Sequence, residues 1–140
     1  MNGLYDVKME HVAEVALVGQ AATDIINTNF FQEMNQDPIF ADVAEFHKQV
    51  TTAEQIPYVV DEAIRSAYAT RSVIVVIIPD VLSGQDIVFD GFKTASLSGS
   101  QQVLMPKSDD VQQTIAALKA AQQPVLWIGK GAYNARQEVN

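Results

Sequence analysis

From Glu54 to Thr70 the apolar positions Ile56, Val59, Val60, Ala63, Ile64, Ala67 and Tyr68 recur at steps of three and four, and this spacing predicts a helix with one apolar face. Pro57 fits only its first turn, where the missing N–H costs nothing. The run Val73-Ile74-Val75-Val76-Ile77-Ile78 follows within three residues and is β-branched throughout. Apolar on both faces, it reads as a parallel strand covered by helices on either side. Earlier in the chain, EVALVG at 14–19 reads as a short buried strand stopped by glycine, and EFHKQV at 45–50 as a second strand with one apolar side. Residues 2–8 (NGLYDVK) read as the tail of a helix. The expected fold is therefore α/β, a parallel sheet with flanking helices.

The pattern changes twice more. FFQEMNQDPIF at 30–40 follows neither the helix nor the strand period, as expected for a loop or short helix that presents side chains. From Asp80 to Lys107 glycine, proline, serine and aspartate are scattered without periodicity, which reads as an interdomain linker. Ser108 then stands as an N-cap with Asp109 and Asp110 in the first turn, followed by a stripe of Val111, Ile115 and Leu118. Pro124 to Ile128 (PVLWI) reads as another buried strand, ending in Gly129-Lys130-Gly131. The expected organisation is a first α/β unit over 1–79, a connection over 80–107, and an incomplete second α/β unit over 108–140. The units look unfinished at both ends of the chain.

Composition narrows the function classes. The 140 residues are 48% hydrophobic and 19% charged, a globular composition. A formal net charge of −8 disfavours phosphate backbones and anionic lipid, so neither nucleic acid nor a membrane is an expected partner. The absence of cysteine excludes disulfides and thiolate metal sites, and His11 and His47 alone exclude a multi-histidine zinc site. The longest apolar run, 73–78, is roughly a third of a membrane span. A cytoplasmic location is expected.

NGLYD at 2–6, ALVGQ at 16–20, FQEMN at 31–35, ADVA at 41–44 and DEAIRSAYA at 61–69 together resemble the pyruvate oxidases. These are flavin enzymes of the thiamine-diphosphate-dependent family that also holds acetolactate synthase and pyruvate decarboxylase. The resemblance runs over nearly the whole chain, is strongest from Asn2 to Pro79, and returns at PVLWIGKGA, 124–132. It implies the C-terminal part of a pyrimidine-binding domain over 1–79, an interdomain linker over 80–107, and the start of a central FAD-binding domain over 108–140. It also implies that the glutamate and the GTH-type histidine that activate thiamine diphosphate lie before Met1, and that the GDG-type motif for magnesium and diphosphate lies beyond Asn140. The chain alone is then expected to bind thiamine diphosphate, Mg2+ and FAD weakly or not at all, and to be inactive. Between Gln20 and Phe31, relatives often carry glycines, whereas AATDIINTNF here has none.

The same resemblance makes Phe31 and Gln32 substrate-lining positions and Gly129 and Gly131 flavin contacts. On chemistry alone, Phe31 and Gln32 favour a hydrophobic anchor beside a solvent-facing amide. On the bare GxG pattern, Gly129 and Gly131 favour an ordinary strand-to-helix turn, since Asn134 stands where a dinucleotide fingerprint has its third glycine. Asp61 and Glu62 beside Arg65 read as helix-surface pairing, and Trp127 as core. The implied activity is oxidative decarboxylation of pyruvate with phosphate and oxygen to acetyl phosphate, carbon dioxide and hydrogen peroxide, in a homo-oligomer that is tetrameric in the family. Two alternatives remain open: part of an acetolactate-synthase-like enzyme, and a non-catalytic interaction or assembly module.

Overall fold

A strand of six consecutive β-branched residues needs apolar cover on both faces, and β3 (Val73–Pro79) finds it at the centre of a parallel sheet. The computed structural model of the protein describes residues 1–91, 105–135 and 137. Within it β1 (Glu14–Gln20) and β2 (Phe46–Gln49) flank β3 in the order β1-β3-β2. The register sets Val15 and Phe46 on either side of Ile74, and Leu17 and Lys48 on either side of Val76. The expected α/β parallel sheet with flanking helices is what the chain forms.

The two-residue period of β3 divides the core. Ile74 and Val76 pack with Val50, Ala63, Ala67 and Leu82, against α3 (Gln55–Thr70). Val73, Val75 and Ile77 pack on the other face with Phe40 and Val43, joined by Leu4 and Val7 of α1 (Asn2–Met9) and by Ile39. Phe40 belongs to the short α2 (Asp37–Phe40), which opens on Asp37 and Pro38, two residues suited to a first helical turn. Tyr5 Oη donates to Asp42 Oδ2 at 2.9 Å, and Lys8 reaches the same residue, which ties α1 to the segment after α2.

The helix-surface charges pair in two different ways. Arg65 meets Asp61 one turn back, as the spacing suggests, whereas Glu62 turns to Lys48 of β2 at 2.7 Å. His47 lies 3.2 Å from Asp37, linking β2 to the start of α2. All of these carboxylates keep substantial solvent contact or sit on the helix surface, so each pair contributes little.

α3 ends on Arg71 in the left-handed conformation, φ 51°. That conformation costs an L-residue about 1–2 kcal/mol and is the one glycine takes freely at helix ends. Arg71→Gly is therefore expected to raise stability by about 1 kcal/mol after its larger unfolded-state entropy is counted. A higher urea midpoint at unchanged slope is the check.

Contacts divide the chain into two compact units, Met1–Gln102 and Val103–Asn140. Within the span expected to be a connection, α4 (Asp80–Ser83) follows β3 directly and buries Leu82, and Phe89 stands edge-on to Tyr58 with ring centroids 6.0 Å apart. Residues 92–104 of that span lie outside the described residues.

The second unit departs from expectation in three respects. α5 (Ser108–Ala120) begins on Ser108 itself with Lys107 as its N-cap, so the serine makes no capping hydrogen bond. Asp109 and Asp110 do occupy the first turn and complement the helix dipole. Its stripe of Val111, Ile115 and Leu118 is exposed, and α5 has no buried residue. Residues 124–128 form no strand: Val125, Leu126 and Ile128 are exposed and Trp127 is 95% exposed, so it is not core. An apolar run becomes a strand only where neighbours take its N–H and C=O groups, and among the described residues no strand lies beside it. Lys130 opens a short 3-10 helix, Lys130–Ala135.

Candidate functional site

Parallel strands in an α/β sheet offer a crevice where two neighbours send their following connections to opposite faces. β1 and β3 are such neighbours. After β1 the chain runs to α2, whose Phe40 packs on the α1 face, while after β3 it runs to α4, whose Leu82 packs on the α3 face. Between their carboxyl ends lies an open recess of about 270 Å³, lined by Leu17, Val18, Gly19, Gln20, Ile78, Asp80 and Ser83. Ser83 Oγ donates to the Asp80 carbonyl at 2.7 Å, so the polar lining from α4 is already partly engaged.

Two glutamine side chains fasten the 30–36 segment to this end of β1. Gln20 Oε1 accepts the Ala21 N–H at 2.9 Å, and its Nε2 donates to the Met34 carbonyl at 3.3 Å. Gln36 Nε2 donates to the Gly19 carbonyl at 2.7 Å, and Gln36, only 7% exposed, has no partner for its Oε1 among the described residues. The amide directions are set by chemistry, since a flipped Gln36 would turn its oxygen onto the Gly19 carbonyl and a flipped Gln20 onto the Met34 carbonyl. Sequence reasoning did not single out Gln20 or Gln36, because an isolated glutamine carries no pattern. A polar residue closing an apolar strand was the one available signal.

Phe31 and Gln32 stand on the outside of this fastened segment. Phe31 is 80% exposed, too open for the hydrophobic anchor that composition alone allowed, and Gln32 is also exposed. Neither lines the recess between β1 and β3. The loop before them has no glycine, and asparagine takes its place: Asn27 and Asn29 adopt φ 72° and 58°. Asparagine enters the left-handed region with the least penalty of the non-glycine residues. Gln32 is there too, at φ 65°, without that tolerance.

Glu33 organises the loop around these residues. Its Oε1 accepts the Asn27 N–H and its Oε2 the Phe30 N–H at 3.1 Å. These backbone donors, Asn27 first, hold its carboxyl below the ordinary value of 4.5. A depressed folded value means the carboxylate's contribution to loop order is complete above about pH 4.5 and is lost as pH falls through the lowered value. The Phe30 amide proton shift, followed by NMR from neutral pH into acid, should move with a midpoint below 4.5.

Gly129 and Gly131 lie in the other unit, at the start of the 3-10 helix. A Cβ added at either meets nothing within 4 Å, so the Cα faces are open to a flat group. The room fits the approach of a flavin nucleotide and also a plain turn. For a divalent cation the donors do not fit: no group of three or more His, Asp or Glu that could hold a metal occurs among the described residues. No helix among them is long and apolar enough to cross a membrane.

No protein-family model matches the chain. Among curated proteins it is 43% identical, over 99% of its length, to pyruvate oxidase of Lactiplantibacillus plantarum, covering 23% of that protein. It is 30% identical over 99% of its length to a Bacillus subtilis protein described as thiamine pyrophosphate-containing, covering 24%. To acetolactate synthase of Mycobacterium bovis it is 32% identical over 91% of its length, covering 21%. The chain thus spans about a quarter of the length of these relatives.

Proposed function

We propose that the chain belongs, over the span it covers, to the thiamine-diphosphate-dependent enzymes that include pyruvate oxidase and acetolactate synthase, and that it serves as part of a pyruvate oxidase. The reaction proposed for the whole protein is oxidative decarboxylation of pyruvate with phosphate and oxygen, giving acetyl phosphate, carbon dioxide and hydrogen peroxide. The observation that carries this reading is the display of the adjacent Phe31 and Gln32 beside the carboxyl end of β1, in a chain 43% identical to a pyruvate oxidase.

Thiamine diphosphate, with magnesium and FAD, would supply the electron-accepting chemistry of such an enzyme when bound. The chain's own residues bind and shield. Gln32 offers an uncharged N–H donor to the carboxylate or carbonyl oxygen of pyruvate, which orients the substrate without adding a charge that would resist loss of carbon dioxide. Phe31 forms an apolar wall that keeps water from the reacting carbons. Gly129 and Gly131 would let the flavin's nucleotide approach the backbone, with Lys130 between them. The 140 residues alone are proposed to be inactive, as a part of the whole enzyme that supplies substrate and flavin contacts only. The whole protein is proposed to be a homo-oligomer.

The 32% identity to an acetolactate synthase supports a second reading, condensation of two pyruvate molecules. Incubation of the whole protein with pyruvate, phosphate, oxygen and the cofactors separates the two. Acetyl phosphate and hydrogen peroxide in equal amounts are expected. Acetolactate without peroxide would transfer the assignment to the second reading, and neither product would leave the interaction-module reading.

A further inference from the structure

The turn that carries Phe31 and Gln32 is closed twice by one residue. The Glu33 N–H donates to the Phe30 carbonyl at 2.9 Å, and the Glu33 carboxylate accepts the Phe30 N–H at 3.1 Å, so both polar groups of Phe30 end on Glu33. The second carboxylate oxygen takes the Asn27 N–H, which anchors the same turn to the preceding loop. Phe31 and Gln32 are the two central residues of this four-residue turn. Its third position, Gln32, is at φ 65°, a conformation that in turns ordinarily goes to glycine or asparagine. A glutamine there persists only where its surroundings over-determine it. The turn lacks the usual cover, since Phe30 and Phe31 are exposed, so burial does not hold it. The Gln20 and Gln36 bonds fasten the segment only from Met34 onward, whereas the turn itself is held by backbone hydrogen bonds to a charged acceptor, shorter and stronger than neutral ones.

We propose that Glu33 is a positioning residue: by gathering the Phe30 and Asn27 amides on one carboxylate, it holds Gln32 in its left-handed backbone conformation and fixes the direction in which Phe31 and Gln32 are presented. This rests on the substrate-lining reading of those two side chains, but the geometry of the clamp does not. The depressed carboxyl of Glu33 agrees with a carboxylate that is doing its work as an anion. Glutamine at this position would keep the size and offer one weaker acceptor, and so would not hold both amides.

The test is NMR on the 140-residue chain without any substrate, so that failure of the clamp and failure of the pyruvate reading are told apart. In the unaltered chain, scalar couplings across the hydrogen bonds should connect the amide nitrogens of Asn27 and Phe30 to the Glu33 carboxyl carbon, and Gln32 should show the strong intraresidue Hα to N–H contact of positive φ. Absence of either overturns the proposal, whether or not any variant folds. In Glu33→Gln, exchange of the Asn27 and Phe30 amides should accelerate about tenfold and the Gln32 signature should be lost, while the β3 amides stay protected. If the two amides are released and Gln32 keeps its left-handed signature, Glu33 merely contacts the loop and does not position it.

Discussion

Ile74→Ala is expected to lower the stability of the first unit by about 2–5 kcal/mol, the range of a large-to-small change in a core that collapses only in part. Ile74 is fully buried, sits in the middle strand between Val15 and Phe46, and packs beneath Ala63 and Ala67 of α3. Alanines one helical turn apart have no side-chain atoms beyond Cβ with which to fill the space an isoleucine leaves. A typical domain is stable by roughly 5–15 kcal/mol, so this single change would consume much of the margin. For a unit of this size the midpoint of thermal unfolding should fall by about 10 °C or more. Ile74→Val, one methylene smaller, should cost about 0.5–1.5 kcal/mol. Leu17→Ala is the informative control. Leu17 belongs to β1, opposite Val76, but is 59% exposed, so its truncation should change stability by no more than about 0.5 kcal/mol. A cost for Leu17→Ala equal to that of Ile74→Ala would mean that something covers the outer part of β1 in solution.

The sheet was legible because its signals are local and redundant. Six β-branched residues in a row demand a central strand, and the three-and-four spacing of Ile56 to Ala67 demands a helix on one of its faces. The same rule misled at 124–128. PVLWI has the composition of a buried strand, but a strand exists only through its neighbours, and the Trp127 side chain stands open to solvent. Composition reports what a segment is fit for, and pairing decides what it becomes.

At the candidate site the division is different. The lack of period in FFQEMN marked a presenting loop, and Phe31 is indeed outside. The residues that shape the loop were not legible. Asn27 and Asn29 take the left-handed conformation in a loop that holds no glycine, through a backbone tolerance that becomes visible only once φ is known. Glu33, Gln20 and Gln36 act by reaching backbone groups between three and seventeen residues away, and no periodicity records such reach. Ser108 failed as a cap for a smaller reason. The helix begins one residue earlier than a serine cap would require, a shift within the ordinary uncertainty of helix ends.

In a protein that carries this chain at the full length of its relatives, Gln32→Ala is expected to slow pyruvate turnover roughly tenfold to a hundredfold. The estimate follows from one hydrogen bond to a charged substrate, about 1.5–3 kcal/mol, which holds pyruvate in its reacting orientation. The backbone term cancels, because alanine and glutamine meet similar resistance at φ 65°. Binding of flavin and thiamine diphosphate should change little if, as proposed, the amide serves the substrate and not the cofactor tails. Phe31→Ala should act on the product instead. With the aromatic wall removed, water reaches the reacting carbons, and acetate or acetaldehyde should rise relative to acetyl phosphate.

The most direct test of the account is therefore steady-state turnover of pyruvate with simultaneous product analysis for the parent protein, Gln32→Ala and Phe31→Ala. The account predicts a fall in kcat/KM of roughly tenfold to a hundredfold for Gln32→Ala at an unchanged product ratio, and a raised share of acetate or acetaldehyde for Phe31→Ala. Parent-like turnover and parent-like product ratio in both variants would contradict it, and would make the exposed Phe31-Gln32 pair part of the scaffold.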